Sequence, residues 1–307
     1  MAGYFAIFLV ALTISSGLIW LFDAVVLAPK RNLILVQAER AAGSTLTDDA
    51  KHHIAPQSYL AETAQSIFPI IAVITILRSF LYEPFQIPSD SMMPTLLDGD
   101  FILVEKYSYD VKDPVWRTTL LETGKPQHGD VAVFKNPQQP TVDFIKRVIG
   151  LPGDRIVYKN KQLYIKKRCD NSSAQACPVL EPMHQEFKSE GDFFVGPYPL
   201  KRFVEQGPAG QYGILQNTLL PEAIHNYYRQ PGNDTGEFIV PDSHYFVLGD
   251  NRDHSHDSRF WGFVPEQNLV GKAVLKWMSF EFSEDPNHWL PAGIPIGVRF
   301  ERLGTIE

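Results

Sequence analysis

Apolar positions fall into two regimes along the chain. Up to Tyr82 they form two long runs, and beyond Glu83 they come in short clusters separated by Gly, Pro, Asn and Asp. From Gly3 to Leu27 the only charged side chain is Asp23, and at ~1.5 Å per residue a helix of that length crosses a bilayer. Trp20 and Phe22 lie near one end, where interfacial aromatics belong. Residues 1–27 are therefore expected to form a first transmembrane helix. A cleaved signal peptide is the competing reading, disfavoured by the absent basic n-region, the length of the run and the lack of a small-x-small site before Pro29. Lys30, Arg31, Arg40 and Lys51 follow the run, so the positive-inside bias places residues 28–62 in the cytoplasm and the N-terminus outside. The second run, residues 63–82, is uncharged only between Glu62 and Arg78. It spans if Arg78 snorkels to the far interface, and is otherwise an interfacial or buried helix. If it spans, residues 83–307 are extracytoplasmic.

That second region is rich in β-branched and aromatic runs bounded by turn residues: Phe101 to Val104, Val131 to Phe134, Val142 to Ile149, Arg155 to Tyr158, Leu163 to Ile165, Tyr245 to Leu248 and Ala273 to Trp277. Gly-Asp recurs beside them at 99, 129, 153, 191 and 249. Many short strands with Gly/Pro turns predict a mainly β domain, a barrel or sandwich. Lys159-Asn160-Lys161 reads as a hairpin tip. Residues from about 168 to 240, rich in Pro, Gly, Gln and Asn, are expected to be an insertion forming a second lobe.

Composition sharpens this picture in two ways. A net charge of −7 and the absence of a basic run argue against nucleic acid as a partner. The only cysteines, Cys169 and Cys177, lie close together in a polar loop. Such a pair can close a small disulfide in an oxidising compartment, in keeping with an extracytoplasmic body, or remain two free thiols.

Three stretches carry candidate chemistry. In Ile87-Pro88-Ser89-Asp90-Ser91-Met92-Met93-Pro94-Thr95, prolines near both ends predict a stiff, extended loop that presents two hydroxyls, or else an ordinary connector. In the strand Val142 to Ile149, the period of two puts Lys146 on an apolar face with Val142, Phe144 and Val148. Asp143 and Arg147 share the opposite face and are able to pair. Burial would lower the Lys146 pKa and supply a neutral amine, whereas at a sheet edge the ammonium would reach water. The loop from Gly249 to Gly262 is dense in donors and acceptors. His254, His256 and Asp257 within it are possible metal ligands, but spacing supplies no fourth.

Taken in order after two membrane segments, PSDSMMPT, FIKRVIGLPGD and GDNRDHSHDSR resemble the motif boxes of bacterial type I signal peptidases (leader peptidases). The resemblance covers the anchor and the β domain, including Trp261-Gly262-Phe263-Val264-Pro265, and is weak in the insertion. It implies a serine endopeptidase of the inner membrane with its catalytic domain on the periplasmic side, cutting signal peptides from preproteins after a small-x-small site, without metal or other cofactor. Ser91 would be the nucleophile and Lys146 the general base. Ser89 would join the Ser91 N–H in holding the oxyanion, and Ser255 would orient the lysine amine. Asp257 and Arg259, with Arg147 and Asp250, would brace the third box against the lysine strand. Phe85, Gln86, Ile87, Pro88, Met92, Phe144 and Ile145 would form the substrate surface, accepting an extended peptide as an added strand. Trp277, Phe280, Phe282 and Trp289-Leu290-Pro291 are candidate lipid contacts, and the export translocon is a candidate partner.

Two residues depart from the commoner pattern: Asp90 where relatives often carry glycine, and His254 in place of asparagine. Asp90 pointing inward would raise the Lys146 pKa and weaken the base. A non-catalytic, membrane-tethered peptide-binding β domain is the alternative from a different class.

Overall fold

The computed structural model describes residues 2–169, 179–283, 291 and 293–306. It comprises two units, Met1–Leu81 with Asp113–Thr118, and Tyr82–Lys112 with Thr119–Glu307.

In the first unit, α1 (Ala2–Phe22) passes through a π-helical turn at Asp23–Leu27 directly into α2 (Ala28–Ala42). The first helix was expected to end at residue 27, and the chain instead stays helical to Ala42. Pro29 closely follows the π-helical turn, where the regular i→i−4 ladder is already interrupted, and the following Lys, Arg, Leu, Gln, Glu and Ala are good helix formers. Gly43, at φ 66°, ends the helix in the left-handed region that glycine adopts without strain. Asp23 is satisfied by a two-pronged contact with Arg31, at 2.6 and 2.8 Å, two helical turns further on.

Helix α3 (Asp48–Ile54) is N-capped by Thr47, and α4 (Tyr59–Ile76) by Ser58, before a second π-helical turn at Leu77–Leu81. The second apolar helix therefore begins before the expected residue 63, and Tyr82 already belongs to a strand. The hydroxyls of Thr13 and Thr75 meet at 2.7 Å between α1 and α4. Arg78 lies with its guanidinium 4.4 Å from the centroid of the Phe5 ring. The helical stretches Tyr4–Ala42 and Tyr59–Leu81 are both long and apolar enough to cross a membrane.

The second unit is mainly β. In chain order its first strands are β1 (Tyr82–Gln86), β2 (Asp100–Glu105), β3 (Val111–Lys112), β4 (Thr119–Leu121), β5 (Val131–Lys135) and β6 (Asp143–Gly150). Then come β7 (Arg155–Lys159), β8 (Gln162–Lys166), β9 (Glu181–Pro182), β10 (His184–Val195), β11 (Tyr198–Gly207) and β12 (Gly210–Gln216). The last are β13 (Glu237–Ile239), β14 (His244–Leu248), β15 (Val264–Pro265), β16 (Leu269–Phe282), β17 (Pro295–Val298) and β18 (Gly304–Thr305). An antiparallel main sheet runs β1-β2-β16-β5-β6-β14-β15, with β17 and β18 also paired to the long β16. The strand β5 shows why it sits centrally. Val131 and Val133 pack into one core with Ile87, Met92, Ile102 and Val104, while Ala132 and Phe134 pack into another with Tyr109, Val148, Tyr245 and Trp261.

Three of the Gly-Asp pairs do one job. At 99–100, 129–130 and 153–154 the glycine has φ of 86 to 88°, which a turn needing positive φ at its third residue demands. The aspartate carboxylate then accepts the backbone N–H three residues earlier, from Leu97, Gln127 and Leu151, at 2.9 to 3.0 Å. The hairpin at Asn160-Lys161 has both residues at positive φ, 52° and 59°, matching the twist of β7 and β8.

The inserted lobe is more regular than its composition suggested. β10, β11 and β12 form a three-stranded antiparallel meander, and β13-β7-β8-β9 a four-stranded sheet. The long β10 is largely exposed, so it lacks the apolar alternation by which a half-buried strand is recognised. Cys169 lies at the edge of the described residues and Cys177 outside them, so the expected pairing of these two falls outside the described structure.

Candidate active site

The nucleophile loop leaves β1 in extended form and then turns. Ser89 has φ −155° and ψ 156°, and Asp90–Met92 make a single 3₁₀ turn, so the stretch expected to stay extended bends at its centre. The bend is anchored from below, because Ile87 and Met92 are 2% and 0% exposed and share a core with Leu96, Phe85 and Ile145. From above, Asn251 holds it with two bonds. Its backbone N–H donates to the Ser91 carbonyl at 3.1 Å, and its side-chain amide donates to the Asp90 carbonyl at 3.1 Å. The Ser91 N–H lies in the first turn of a helical segment, where such groups have no partner within the turn. Ser89 Oγ is 3.5 Å from Ser91 Oγ.

Lys146 closes on this loop from β6. Its Nζ lies 2.6 Å from Ser91 Oγ and donates to the Ile145 carbonyl at 2.9 Å, with the side chain 4% exposed. Burial pushes its pKa down to about 8, partly opposed by the charges of Asp257 and Asp250 and assisted by Arg259. The Asp90 side chain is exposed and its φ is not positive, so this position makes no left-handed demand.

The third box is held by ion pairs buried beyond the reach of water. Arg147 makes a two-pronged contact with Asp250, at 2.9 and 2.8 Å, and Thr95 donates its hydroxyl to the same carboxylate at 2.5 Å. This triad ties the lysine strand, the nucleophile loop and the third box together. Asp257 and Arg259 pair with each other at 2.8 Å within the third box. The expected brace to the lysine strand is thus Arg147 with Asp250, and Asp257 with Arg259 shapes the box internally. Asp143, which shares a strand face with Arg147, pairs instead with Lys135 on β5 at 2.8 Å. Cross-strand neighbours meet more easily than residues four apart on one strand. Burial acts to raise the Asp257 pKa, but the Arg259 charge and hydrogen bonds hold it below the ordinary carboxylate range.

Gly249 differs from the turn glycines. A Cβ built on it would stand 2.5 Å from the Ser91 carbonyl oxygen and against the Ser255 side chain, so the close approach itself demands glycine. Ser255 is 6% exposed beside that glycine, and its hydroxyl makes no hydrogen bond of ordinary geometry and acts on the Asp257 carboxylate. The second ligand of the Lys146 amine is the Ile145 carbonyl, and the role expected for Ser255 is not made as a hydrogen bond in this conformation.

The expected substrate residues divide in two. Gln86 and Pro88 are exposed and Phe85 and Ile145 half-buried, whereas Ile87 and Met92 offer no surface and shape the site only from beneath. Phe144 packs on the opposite core, its ring centroid 5.5 Å from Lys146 Nζ. In the third box the Asp257 carboxylate is taken up by Arg259 and the Gly249 N–H, and the His256 ring stacks on Phe260.

The matching sequence profile, described as signal peptidase, peptidase S26, spans residues 60–278. The chain belongs to this family. It is 39% identical to the signal peptidase I of Haemophilus influenzae over 98% of this chain and 91% of that one. With the signal peptidase I of Pseudomonas fluorescens it shares 37% identity over 99% of each. A crystal structure of a signal peptidase I from Enterococcus faecalis, 28% identical, covers 48% of this chain and 96% of that one at a TM-score of 0.26, and the family assignment rests on the sequence matches. Within the matched residues, Ser91 Oγ and Lys146 Nζ are in direct contact.

Sequence reading missed several residues that the site uses. Thr95 and Asn251 lie inside the quoted boxes, but which polar side chain faces inward is set by the packing of distant segments. Glu205 and Tyr212, on the inserted sheet, carried no local signal at all.

Proposed function

We propose that the protein is a membrane-anchored signal peptidase that removes signal peptides from exported preproteins with Ser91 as nucleophile and Lys146 as general base. The observation that carries this reading is the 2.6 Å contact between Ser91 Oγ and a buried amine whose pKa is lowered to about 8. A neutral amine takes the hydroxyl proton as Oγ bonds to the scissile carbonyl carbon. The resulting oxyanion is stabilised by the Ser91 N–H and the Ser89 hydroxyl, each such donor being worth roughly 3 kcal/mol in acyl-transfer sites. Collapse breaks the C–N bond, and the lysine ammonium returns its proton to the departing amine of the mature chain. Water then attacks the acyl ester, Lys146 takes a proton from it, and Ser91 leaves with that proton restored.

Signal peptides would bind as an extended strand. The outer edge of β1, continuing to Ser89, and the edge of β6 at Asp143–Lys146 beyond Leu248 have no strand partner among the described residues. Backbone pairing along these edges gives affinity without sequence, and a shallow apolar floor selects small side chains. A preprotein whose signal ends in Ala-x-Ala is expected to be cut after the second alanine, and replacing that alanine by a large residue to lower kcat/KM at least tenfold; equal rates on both would contradict the reading.

The bilayer is the other partner proposed here. Trp277 is 44% and Phe300 69% exposed, Trp277 and Phe280 both meet the Phe101 ring edge-on, and Phe280 and Phe282 are half-buried. Trp289 and Leu290 lie outside the described residues. The apolar side chains would seat the domain at the outer surface of the inner membrane, with Tyr4–Ala42 and Tyr59–Leu81 as the two spans. A chain lacking residues 1–82 is expected to sediment with lipid vesicles and to do so less after Trp277→Ser. Recovery of the unsubstituted domain wholly in the supernatant would remove the bilayer from this account.

A further inference from the structure

The third box carries a further ion pair whose acidic partner comes from the inserted lobe. Glu205, on β11, forms a two-pronged pair with Arg252 of the third box, both side chains being fully buried. Two more groups of the inserted lobe hold the carboxylate, the Tyr212 hydroxyl and the Gln185 side-chain amide, each donating at 2.8 Å. Burial acts to raise the Glu205 pKa, but Arg252 and these donors keep it below its ordinary value, so the pair stays charged. Two buried charges of this kind are not an economical way to gain stability, since a well-packed apolar pair would serve as well or better. What they supply is a fixed direction.

The contacts continue from Arg252 to the lysine. The Arg252 carbonyl accepts from Arg259 Nη2 at 2.5 Å, Arg259 holds Asp257, and Asp257 is the strongest of the charges acting on Lys146. A second arm runs through Tyr212, whose ring lies 4.2 Å beneath the Arg147 guanidinium that pairs with Asp250. The backbone agrees, for the Leu215 N–H donates to the Asp250 carbonyl at 2.9 Å and the Asn217 N–H to the Asp253 carboxylate at 2.7 Å. The inserted sheet therefore backs the third box along its length.

We infer that Glu205, held by Tyr212, is a positioning residue for the general base: through Arg252, Arg259 and Asp257 it sets where the third-box carboxylate stands relative to the Lys146 amine. The inference rests on the Ser91/Lys146 reading above. Around Lys146 the charged groups are Asp257, Asp250 and Arg259 from the third box and Arg147 from its own strand; Asp90 of the nucleophile loop is exposed, and β5 presents Ala132 opposite. In a Glu205→Gln protein the Arg252 guanidinium loses its buried counter-charge. It then competes for Asp257 and adds uncompensated positive charge, and both effects favour the neutral amine. The acid limb of the pH–rate profile must move to lower pH, while misplacement of the box lowers the rate.

The test measures kcat/KM against pH for the full-length protein in detergent, using a peptide with an Ala-x-Ala site. Glu205→Gln is expected to lose roughly ten- to a hundredfold on the plateau and to shift the acid limb downward. Tyr212→Phe, which keeps the ring under Arg147 and removes only the hydroxyl, is expected to show a smaller loss and a shift of the same sign. Should Glu205→Gln fail to fold, Tyr212→Phe decides alone. Folded variants whose limbs superimpose on the wild type, whether or not the plateau falls, would overturn the positioning role and leave the dyad standing. Cleavage that survives Lys146→Met would bring down both.

Discussion

Replacing Lys146 by methionine is expected to abolish cleavage at every pH, by at least about four orders of magnitude if the serine and its base act as a unit. Methionine keeps the length and the apolar packing of the lysine stem beside Phe144, so the fold should survive and the loss should be chemical. The wild type should show the reason. With the amine pKa at about 8, roughly a tenth of the protein carries a neutral base at pH 7, and the rate should climb through pH 8 before levelling off. Activity retained by the methionine variant, or a wild-type rate flat from pH 6 to 9, would remove Lys146 from the mechanism.

The second large effect is expected at Asp250. This carboxylate is 1% exposed and serves Arg147, Thr95 and, through its charge, Lys146. Asp250→Asn removes the buried counter-charge of the Arg147 guanidinium, a loss of about 3 to 5 kcal/mol that corresponds to a fall in Tm of roughly 10 °C. The charge-free Arg147→Met/Asp250→Leu pair should recover much of that stability, because it removes both desolvation costs together. Asp250 raises the Lys146 pKa, so in whatever fraction of Asp250→Asn folds the acid limb should also move to lower pH. A thermal melt of Asp250→Asn within 2 °C of wild type would show that the pair does not brace the site.

Much of the site was legible because its chemistry is local. The prolines flanking Ser89 and Ser91, the alternation that put Lys146 among apolar neighbours and the donor-rich loop after Leu248 are each visible within ten residues of sequence. The same holds for strands with a buried face, such as β5 and β6, and for turns with an Asp-capped glycine. What escaped depends on distance along the chain. Arg147 has Asp143 four residues away, yet takes a carboxylate from Asp250, because alternation fixes the face of a side chain and not its partner. The helix boundary near residue 28 escaped for another reason. Hydropathy reports where apolar side chains stop, while Lys, Arg, Gln and Glu extend a helix readily into water, as α2 does to Ala42. The inserted lobe was opaque since β10 and β11 bury only part of their surface, and Glu205 pairs with Arg252, a distant residue of the third box.

The most direct measurement is the mass of the covalent intermediate. Full-length protein incubated with a serine-acylating inhibitor or a slowly deacylating Ala-x-Ala ester, then digested and mapped, is expected to carry the acyl group on Ser91, to lose it in Ser91→Ala, and to acylate only slowly in Lys146→Met. An acyl group found on Ser89 or Ser255, or cleavage that persists in Ser91→Ala, would contradict the assignment of Ser91 and Lys146 as the reacting pair.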